Sequence, residues 1–291
     1  MTKQILILKG DRPDTSQTGS YFTWENLQRL GSDTYELGKY SDIVFTIIDG
    51  KVTCMLASSG RDLASYDLVY IRDITHENVR NSVALYLKHH NKKFINAELH
   101  NTQYTDKLLQ YVALAIAGIS VPQTVFASSG RRKQASAVLG DAPFVMKSTT
   151  GSNGNDNFLI QQDGDFEREG SYVIQALVPN DFDYRVIVGG DDVLLAYKRV
   201  RQTADGYLNN VSQGATRELA TELDDDVRVL AVKAAQTLGR TLSGVDVLEN
   251  SQTGQRHILE VNFNYGSPRF EAAVLDEYFK KLASFLNQAS E

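Results

Sequence analysis

The stretch His257-Ile-Leu-Glu-Val-Asn-Phe-Asn264 is the most informative part of this sequence. Side chains along a β-strand alternate between the two faces of the sheet. The alternation separates an oxygen-bearing set from an apolar set: Glu260, Asn262 and Asn264 against Leu259, Val261 and Phe263. Carboxylate and amide oxygens without histidine or cysteine suit a hard cation such as Mg²⁺. The stretch therefore predicts a strand with one buried face and one metal-binding face.

Composition and charge limit the class of protein. A formal net charge of -6 gives no support to a nucleic-acid-binding protein, because such proteins usually carry a basic surface. The single cysteine, Cys54, excludes an internal disulfide and fits a reducing compartment. The apolar run near the N-terminus is too short for a signal peptide or a membrane span. We therefore expect a cytoplasmic protein with neither a nucleic-acid nor a membrane partner.

Residues 1–98 are predicted to form a small α/β domain. Its predicted elements are strands at residues 4–8, 67–71 and 93–95 and a helix at residues 78–89. The turn after the first strand lacks the Gly-x-Gly-x-x-Gly pattern of dinucleotide sites. Arg72 directly follows a strand, where open α/β sheets tend to bind ligands. An ordinary surface arginine is an equally good interpretation of Arg72.

Residues 99–172 are predicted to form a central domain. Helical spacing from residue 105 to residue 118 precedes two strands, at residues 144–147 and 158–160. The glycine-containing loop between these strands has Lys147 at its entrance. Backbone N–H groups of such a loop can approach phosphate oxygens, and the lysine adds positive charge. The loop does not match a P-loop, and a simple hairpin turn is the alternative.

Residues 173–291 are predicted to form the third domain, which contains the opening stretch. A hairpin is expected over residues 183–199, and alternation places Asp183 and Arg185 on one face of its first arm. Asp224 is a plausible N-cap for the helix that follows. The C-terminal segment has helical spacing in its apolar residues, which we interpret as core packing: Val274, Leu275, Tyr278, Leu282 and Leu286.

Residues 244–248 are predicted to pair with the opening stretch as a second hairpin. A register that opposes Asp246 to Glu260 is geometrically easy. Like charges that are directly opposed in a sheet are destabilising, so a cation between them is the natural compensation. A shared proton is the alternative, but the amide of Asn262 on the same face favours a metal.

A series of motifs between residues 105 and 268 resembles the ATP-grasp superfamily, and most closely its RimK-type branch of glutamate ligases. The motifs are Asp106-Lys107, Lys147 with Gly151-Ser-Asn-Gly154, Gln175-Ala-Leu-Val178, Asp183-Tyr-Arg185, Lys198-Arg199, Asn209-Asn210, Gly244-Val-Asp246 and Glu260-Val-Asn262. Their order and spacing, more than any single motif, carry the resemblance. It implies an α/β (α+β) ATP-grasp fold, with an N-terminal α/β lobe, a central lid lobe and a C-terminal antiparallel-sheet lobe. ATP is expected between the last two lobes.

The resemblance also implies roles for individual residues. The expected nucleotide contacts are Lys107 and Lys147 at the phosphates, Gln175, Ala176 and Leu177 at the adenine edge, Asp183 near the ribose, and Asn209 and Asn210 near the phosphates. The expected metal ligands are Asp246, Glu260 and Asn262. Arg185 is expected near the reacting phosphate and carboxylate, with Lys198 as its catalytic neighbour. The implied cofactors are ATP and one or two Mg²⁺ ions, for which Mn²⁺ can substitute.

The activity that the resemblance implies is the joining of a carboxylate to an amine through an acyl phosphate. Cations along the path of the attacking carboxylate suit this chemistry, because the target phosphoryl group is highly anionic. The hairpin over residues 147–160 is the expected lid that excludes water. The expected partners are ATP and an amino acid, a peptide or a protein C-terminus, with a homo-oligomer as a further expectation. A nucleotide-binding module without ligase activity is the alternative function.

Two departures from the RimK-type pattern point to a different substrate. Residues 263–271 replace the small residues, proline and glycine that usually follow the last metal ligand. Residues 211–214 lack the His-Arg that often follows the matching asparagine. Arg269 is as well suited to holding a substrate carboxylate as to facing solvent.

Overall fold

The computed structural model describes residues 3–11, 23–31, 33–72, 76–96, 106–127, 131–132, 135–141, 143–150, 157–161, 169–202, 209, 214–266 and 268–291. The chain separates into two compact units. The first contains Met1–Thr102, Arg240–Ser243 and Phe263–Glu291, and the second contains Gln103–Gly239 and Gly244–Asn262. The predicted division into three domains, at residues 98 and 172, stays a prediction. No helix in the described ranges is long and apolar enough to cross a membrane.

The chain alternates strands and helices throughout. The helices are α1 (Trp24–Leu30), α2 (Glu77–His89), α3 (Lys107–Ile116), α4 (Ala135–Leu139), α5 (Asp225–Thr237) and α6 (Ala272–Ala289). The strands are β1 (Ile5–Lys9), β2 (Tyr35–Lys39), β3 (Ile43–Ile48), β4 (Lys51–Leu56), β5 (Arg61–Asp62), β6 (Leu68–Ile71), β7 (Lys93–Ile95), β8 (Thr124–Phe126), β9 (Phe144–Ser148), β10 (Asn157–Ile160), β11 (Tyr172–Ala176), β12 (Phe182–Gly189), β13 (Asp192–Val200), β14 (Thr216–Leu219), β15 (Leu242–Glu249) and β16 (Arg256–Asn262).

The first unit is built on a parallel sheet with the strand order β2-β1-β6-β7. Strand β1 is entirely buried, which explains its nearly continuous apolar sequence. The three strands and the helix predicted for this part of the chain are confirmed. The antiparallel sheet β3-β4-β5 is absent from the elements predicted above, and its first hairpin turns at Asp49 and Gly50. Both turn residues have positive φ (47° and 77°), as a two-residue Asp-Gly turn requires.

The C-terminal helix α6 belongs to the first unit. Its apolar stripe is buried at four positions: Tyr278, Phe279, Leu282 and Leu286. The interpretation of this stripe as core packing is confirmed for three of the five residues named, while Val274 and Leu275 are only half-buried.

The second unit contains a four-stranded antiparallel sheet with the order β10-β9-β11-β8. Strands β9 and β10 pair in a register that opposes Lys147 to Asn157, so the hairpin predicted here is confirmed. Its loop, residues 151–156, lies outside the described residues. Helix α3 begins next to this sheet, where the Asp106 side chain accepts hydrogen bonds from the backbone N–H groups of Leu108 and Leu109 (2.8 and 3.2 Å).

The larger sheet of the second unit is antiparallel and has the order β14-β13-β12-β15-β16. Helix α5 covers one face with a small-residue stripe that packs on branched side chains of the strands: Val227, Ala231, Ala234 and Ala235 against Val186, Val188, Val245, Val247 and Ile258. Asp224 occupies the N-cap position of α5, but its side chain makes no capping hydrogen bond and pairs with Arg256. The opposite face of the sheet is free to carry polar side chains.

Strands β15 and β16 pair with Asp246 directly opposite Glu260, as the sequence predicts. A β-bulge follows at once, because Val247 pairs with Ile258 and leaves Leu259 as an extra residue. Because of the bulge, the residues on the apolar face of β16 differ from those that strict alternation predicts. Ile258, in place of Leu259, joins Val261 in the hydrophobic core.

Candidate active site

Five charged side chains share the face of the larger sheet opposite α5. They come from four neighbouring strands: Asp183 and Arg185 from β12, Arg199 from β13, Asp246 from β15 and Glu260 from β16. Direct pairing of Asp183 with Arg199, and of Asp246 with Glu260, fixes which residues share this face. The strand register thus gathers residues that are up to 77 positions apart in the sequence (260 minus 183).

Two arginines and two aspartates form a buried ion-pair network on this face. Arg199 binds Asp183 through two nitrogens, at 2.6 and 2.8 Å, and reaches the Oδ2 atom of Asp246 at 3.0 Å. Arg185 also contacts both carboxylate oxygens of Asp246, with its Nη2 atom 3.1 Å from Oδ2. Burial alone would raise the pKa of the Asp246 carboxyl group, but Arg185 and Arg199 outweigh it and lower that pKa. Asp246 is therefore held as a carboxylate.

Two lysines from other elements complete the charged cluster. The Nζ atom of Lys107, in the first turn of α3, lies 3.3 Å from the Oε1 atom of Glu260. The backbone N–H of Lys107 donates to the carbonyl of Thr149 (2.9 Å), which ties α3 to the chain just after β9. The pKa of the Lys147 ammonium group is lowered to about 8, mainly by burial and in part by the charge of Lys107, which together outweigh the carboxylates of Glu260, Asp183 and Asp246. Lys147 is therefore mostly protonated at pH 7 and loses its charge as the pH rises through about 8.

Gln110 is a positioning residue that sequence analysis missed. Its Oε1 atom accepts a hydrogen bond from the backbone N–H of Val261 (3.0 Å), and its Nε2 atom donates to the carbonyl of the same residue (3.4 Å). The Tyr111 hydroxyl donates to the carbonyl of Leu259 (2.9 Å). Helix α3 therefore holds β16 on both sides of Glu260. The sequence shows only a glutamine inside an otherwise apolar helical stretch, which does not identify its partner.

The carboxylate and amide oxygens on β15 and β16 fit a hard cation in their chemistry. Asp246 and Glu260 oppose each other, and Asn262 lies two residues further along the same strand. A metal at Asp246 must compete with Arg185, because both oxygens of Asp246 already contact guanidinium groups. Glu260, with 29% of its side chain exposed, is the more open ligand. Within the described ranges, no group of three His, Cys, Asp or Glu side chains could hold a metal.

The cluster as a whole has an excess of positive charge. Its carboxylates are Asp183, Asp246 and Glu260, and its cations are Lys107, Lys147, Arg185 and Arg199. Three negative charges against four positive ones leave room for a polyanionic ligand, and a divalent cation increases that capacity.

The placement of Lys198 next to Arg185 is wrong. Lys198 pairs with Tyr184, and its Nζ atom lies over the ring of Phe182, 4.2 Å from the ring centre, on the face that packs against α5. A β-bulge between Ile187 and Val188 shifts the register of β12 and β13 by one residue. The shift brings Arg199, and not Lys198, to the charged face.

The predicted adenine-reading linker is only partly available for a ligand. The backbone N–H of Ala176 donates to the carbonyl of Gln123 (3.1 Å), and that of Leu177 donates to the carbonyl of Pro143 (3.4 Å). The Gln175 side chain is buried, and its Nε2 atom donates to the Thr124 hydroxyl (2.8 Å). A nucleotide that reads this linker must therefore use its carbonyl groups or replace the long Leu177 hydrogen bond.

Asn209 is buried and forms hydrogen bonds with Asn180 and Arg201. Its Nδ2 atom donates to the Oδ1 atom of Asn180 (2.8 Å), and Arg201 donates to both asparagines. Asn210, the other predicted phosphate-loop residue, lies outside the described residues. Arg269 is exposed.

Comparisons with known proteins give matches both in sequence and in structure. A family model described as a RimK-like ATP-grasp domain matches residues 104–286. A probable alpha-L-glutamate ligase of Mannheimia succiniciproducens is 32% identical over 176 residues, which are 57% of this chain and 58% of that protein. A probable alpha-L-glutamate ligase of Aeromonas salmonicida is 28% identical over 253 residues, which are 78% of this chain and 79% of that protein. The first alignment thus spans less than two thirds of the relative.

Solved structures of ATP-grasp ligases have the same fold. The ligase PsnB complexed with minimal precursor has a TM-score of 0.74 at 18% identity, over 99% of this chain and 100% of that chain. PsnB complexed with minimal precursor, Mg and ADP has a TM-score of 0.71 at 17% identity, over 100% and 99% of the two chains. The macrocyclase MdnC from Microcystis aeruginosa, bound with precursor peptide MdnA, has a TM-score of 0.72 at 11% identity, over 98% and 99%. At these identities the similarity shows the fold alone.

Proposed function

Because this chain belongs to the RimK-like ATP-grasp family, we propose that it is an ATP- and Mg²⁺-dependent carboxylate–amine ligase. The proposed reaction joins a carboxylate to an amino acid or peptide through an acyl phosphate and releases ADP and phosphate. The observation that carries the proposal is the charged face in which Arg185 and Arg199 bind Asp246 while Lys107 binds Glu260. Such a face can bind phosphates, a metal and a reacting carboxylate together.

The proposed roles follow from charge and position. Lys107 and Lys147 bind phosphate oxygens of the nucleotide, while Asp246, Glu260 and Asn262 hold Mg²⁺, which neutralises phosphate charge when it is bound. Arg185 and Arg199 neutralise the negative charge that develops when a carboxylate oxygen attacks the γ-phosphorus and ADP leaves. The amine then attacks the acyl phosphate, and inorganic phosphate leaves as the amide bond forms. Gln175, Ala176, Leu177, Asp183, Asn209 and Asn210 remain proposed nucleotide contacts.

Product analysis tests the proposed reaction directly. The protein is incubated with ATP, Mg²⁺ and pools of amino acids or peptides, and the nucleotide products are separated. We expect ADP and phosphate in amounts that depend on the added pool. Release of AMP and pyrophosphate would contradict the acyl-phosphate route. Tight ATP binding without any turnover across the pools would favour the alternative, a nucleotide-binding module.

We expect the affinity for ATP to fall as the pH rises through about 8. The Lys147 ammonium group has a pKa lowered to about 8 by burial, so it is charged below this pH and neutral above it. Bound phosphate favours the charged form, and the dissociation constant should therefore rise by up to about tenfold per pH unit above 8. Calorimetric titration with the non-reacting product ADP at pH 7, 8 and 9 measures this dependence.

The matched variant for this measurement is Lys147→Arg. An arginine keeps its charge across the whole range, so its ADP affinity should depend much less on pH. Equal pH dependence in the two proteins would assign the titration to another group.

We expect Lys198→Met and Arg199→Lys to have opposite consequences for turnover. Lys198 lies over Phe182 on the face packed against α5, so its loss should cost about 1 kcal/mol of stability or less and leave turnover unchanged. Lysine cannot reproduce the two-nitrogen contact of Arg199 with Asp183, so Arg199→Lys should lower kcat about tenfold or more. Steady-state kinetics on both variants measure this contrast. Loss of turnover in Lys198→Met would return Lys198 to the catalytic set.

A further inference from the structure

We propose that Arg217, on strand β14, binds a carboxylate group of the substrate and so helps to select it. The binding of a carboxylate is inferred from the sheet itself, whereas identification of the ligand as a substrate rests on the proposed ligase function. Arg217 belongs to none of the motifs that carry the family resemblance. It lies in the second unit, together with the whole charged face.

The strand register places Arg217 on the charged face. Strands β13 and β14 pair antiparallel, with Arg217 directly opposite Arg199. Directly opposed residues of antiparallel strands project to the same face, and their Cβ atoms lie about 5 Å apart. Arg199 in turn opposes Asp183. One row of the sheet therefore carries Asp183, Arg199 and Arg217 side by side.

The nearest carboxylate in the sequence faces the other way. Glu218 follows Arg217 in β14 and pairs with Lys198, whose side chain lies over Phe182 on the face that packs against α5. Successive residues of a strand alternate between the two faces. Glu218 and Arg217 are therefore on opposite faces of the sheet.

The carboxylates of the charged face are already bound to other cations. The pairs are Asp183 with Arg199, Asp246 with Arg185 and Arg199, and Glu260 with Lys107. With Arg217 included, five cations share this face with three carboxylates. Like charges directly opposed in a sheet are destabilising, as Arg199 and Arg217 are. An anion bound beside Arg217 offsets this repulsion.

Arg217 also has a donor that the protein leaves unused. Its Nε atom is buried and has no hydrogen-bond partner in the described part of the chain, although the residue as a whole is partly exposed. The simplest alternative is a solvated arginine at the edge of a sheet, but water satisfies the donors of such a residue and does not reach a buried Nε atom. A buried donor without a partner is costly. A carboxylate can accept from Nε and a second guanidinium nitrogen together.

The position of β14 favours a substrate over the phosphates of the nucleotide. The proposed phosphate and metal contacts, Lys107 and Glu260, meet at β16, which is the opposite edge of the five-stranded sheet. Four strand spacings of about 4.8 Å separate β14 from β16, or about 19 Å in total. Arg185 and Arg199, the proposed contacts of the reacting carboxylate, lie on strands between these edges. A ligand at Arg217 is therefore beyond the reacting carboxylate as seen from the phosphates.

Calorimetry with small probes tests the role of Arg217. The protein is saturated with ADP and Mg²⁺ and is then titrated with glutarate, which has two carboxylates, or with the uncharged glutaramide. We expect glutarate to bind and glutaramide not to bind. Arg217→Met removes the charge and should weaken glutarate binding about tenfold or more. Arg217→Lys keeps the charge but loses the two-nitrogen contact, and it should bind glutarate with intermediate affinity.

Further measurements separate substrate binding from a structural or nucleotide-binding role. The matched control is Arg228→Met, which removes an arginine with 43% side-chain exposure from α5, on the other face of the sheet, and should bind glutarate like the unchanged protein. Arg217→Met should bind ADP and the non-hydrolysable analogue AMPPNP normally. Its stability in urea should not fall, because the Nε atom has no partner to lose. In turnover, the concentration of substrate pool that gives half the maximal rate should rise about tenfold, while kcat changes about threefold or less.

Three binding results would overturn the proposal. They are the absence of glutarate binding, equal glutarate binding by Arg217→Met and the unchanged protein, and loss of ADP or AMPPNP affinity in Arg217→Met, which would assign Arg217 to the nucleotide. If glutarate binding depends on Arg217 but no pool supports turnover, the ligase proposal fails and the carboxylate site remains. Turnover whose half-saturating pool concentration does not depend on Arg217 would remove the role of Arg217 alone.

Discussion

Glu260→Gln is expected to lower kcat about 100-fold or more while the fold stays intact. The substitution keeps the shape of the side chain but removes the charge that we propose for metal binding, and loss of one preorganised charged partner commonly has an effect of this size. Stability should change little. The ion pair that Glu260 forms with Lys107 (3.3 Å) is partly exposed on the glutamate side, and such pairs contribute about 1 kcal/mol or less.

The measurement is kcat together with urea unfolding in the absence of ATP. Glu222→Gln is the matched control, since it removes an exposed glutamate outside the charged face and should leave both quantities unchanged. Strong destabilisation of Glu260→Gln in the absence of ATP would show that Glu260 is a structural residue. Normal turnover in Glu260→Gln would exclude it as a metal ligand.

The opposed pair of Asp246 and Glu260 could be predicted because it depends on local pattern alone. Two short runs of alternating side chains flank a turn-rich segment, and one register places both apolar sets on the buried face. Arg199 could not be found in the same way. Near the turn of the hairpin, Val188 pairs with Val193. If this register continued without a break, Lys198 would oppose Asp183.

One extra residue in β13 shifts the register by one, and Arg199 opposes Asp183 instead. Neither a glycine nor a proline marks this bulge in the sequence, and every residue after it reverses its face. Gln110 was missed for a different reason. Its partner is a backbone group of Val261, 151 residues away, and no local pattern reports such a contact.

Arg72 shows how far a local pattern reaches. Its position directly after a strand is visible in the sequence and leaves two interpretations equally good. The Arg72 side chain is only 5% exposed, which removes the interpretation as a surface arginine.

Asp246→Asn is expected to lower both stability and turnover, in contrast to Glu260→Gln. Asp246 is buried and binds Arg185 and Arg199. The substitution therefore leaves two buried guanidinium groups next to a neutral amide in place of a carboxylate. Removing one partner from a buried ion pair costs about 3–5 kcal/mol. Urea unfolding should therefore show a loss of this order. Asp192→Asn, at an aspartate with 80% side-chain exposure, is the control and should change stability by about 0.5 kcal/mol or less.

A double variant separates the lost charge balance from lost packing. Arg185→Met removes one of the guanidinium groups that Asp246→Asn leaves uncompensated, while it keeps most of the side-chain volume. If charge imbalance is the cause, the double variant should lose less stability than the two single variants together, with a coupling energy of about 1–3 kcal/mol. Strict additivity of the two losses would show that Asp246 stabilises the sheet without Arg185. Turnover should be absent in the double variant in either case, because both proposed roles, metal binding and charge neutralisation at the γ-phosphoryl group, are lost with these two side chains.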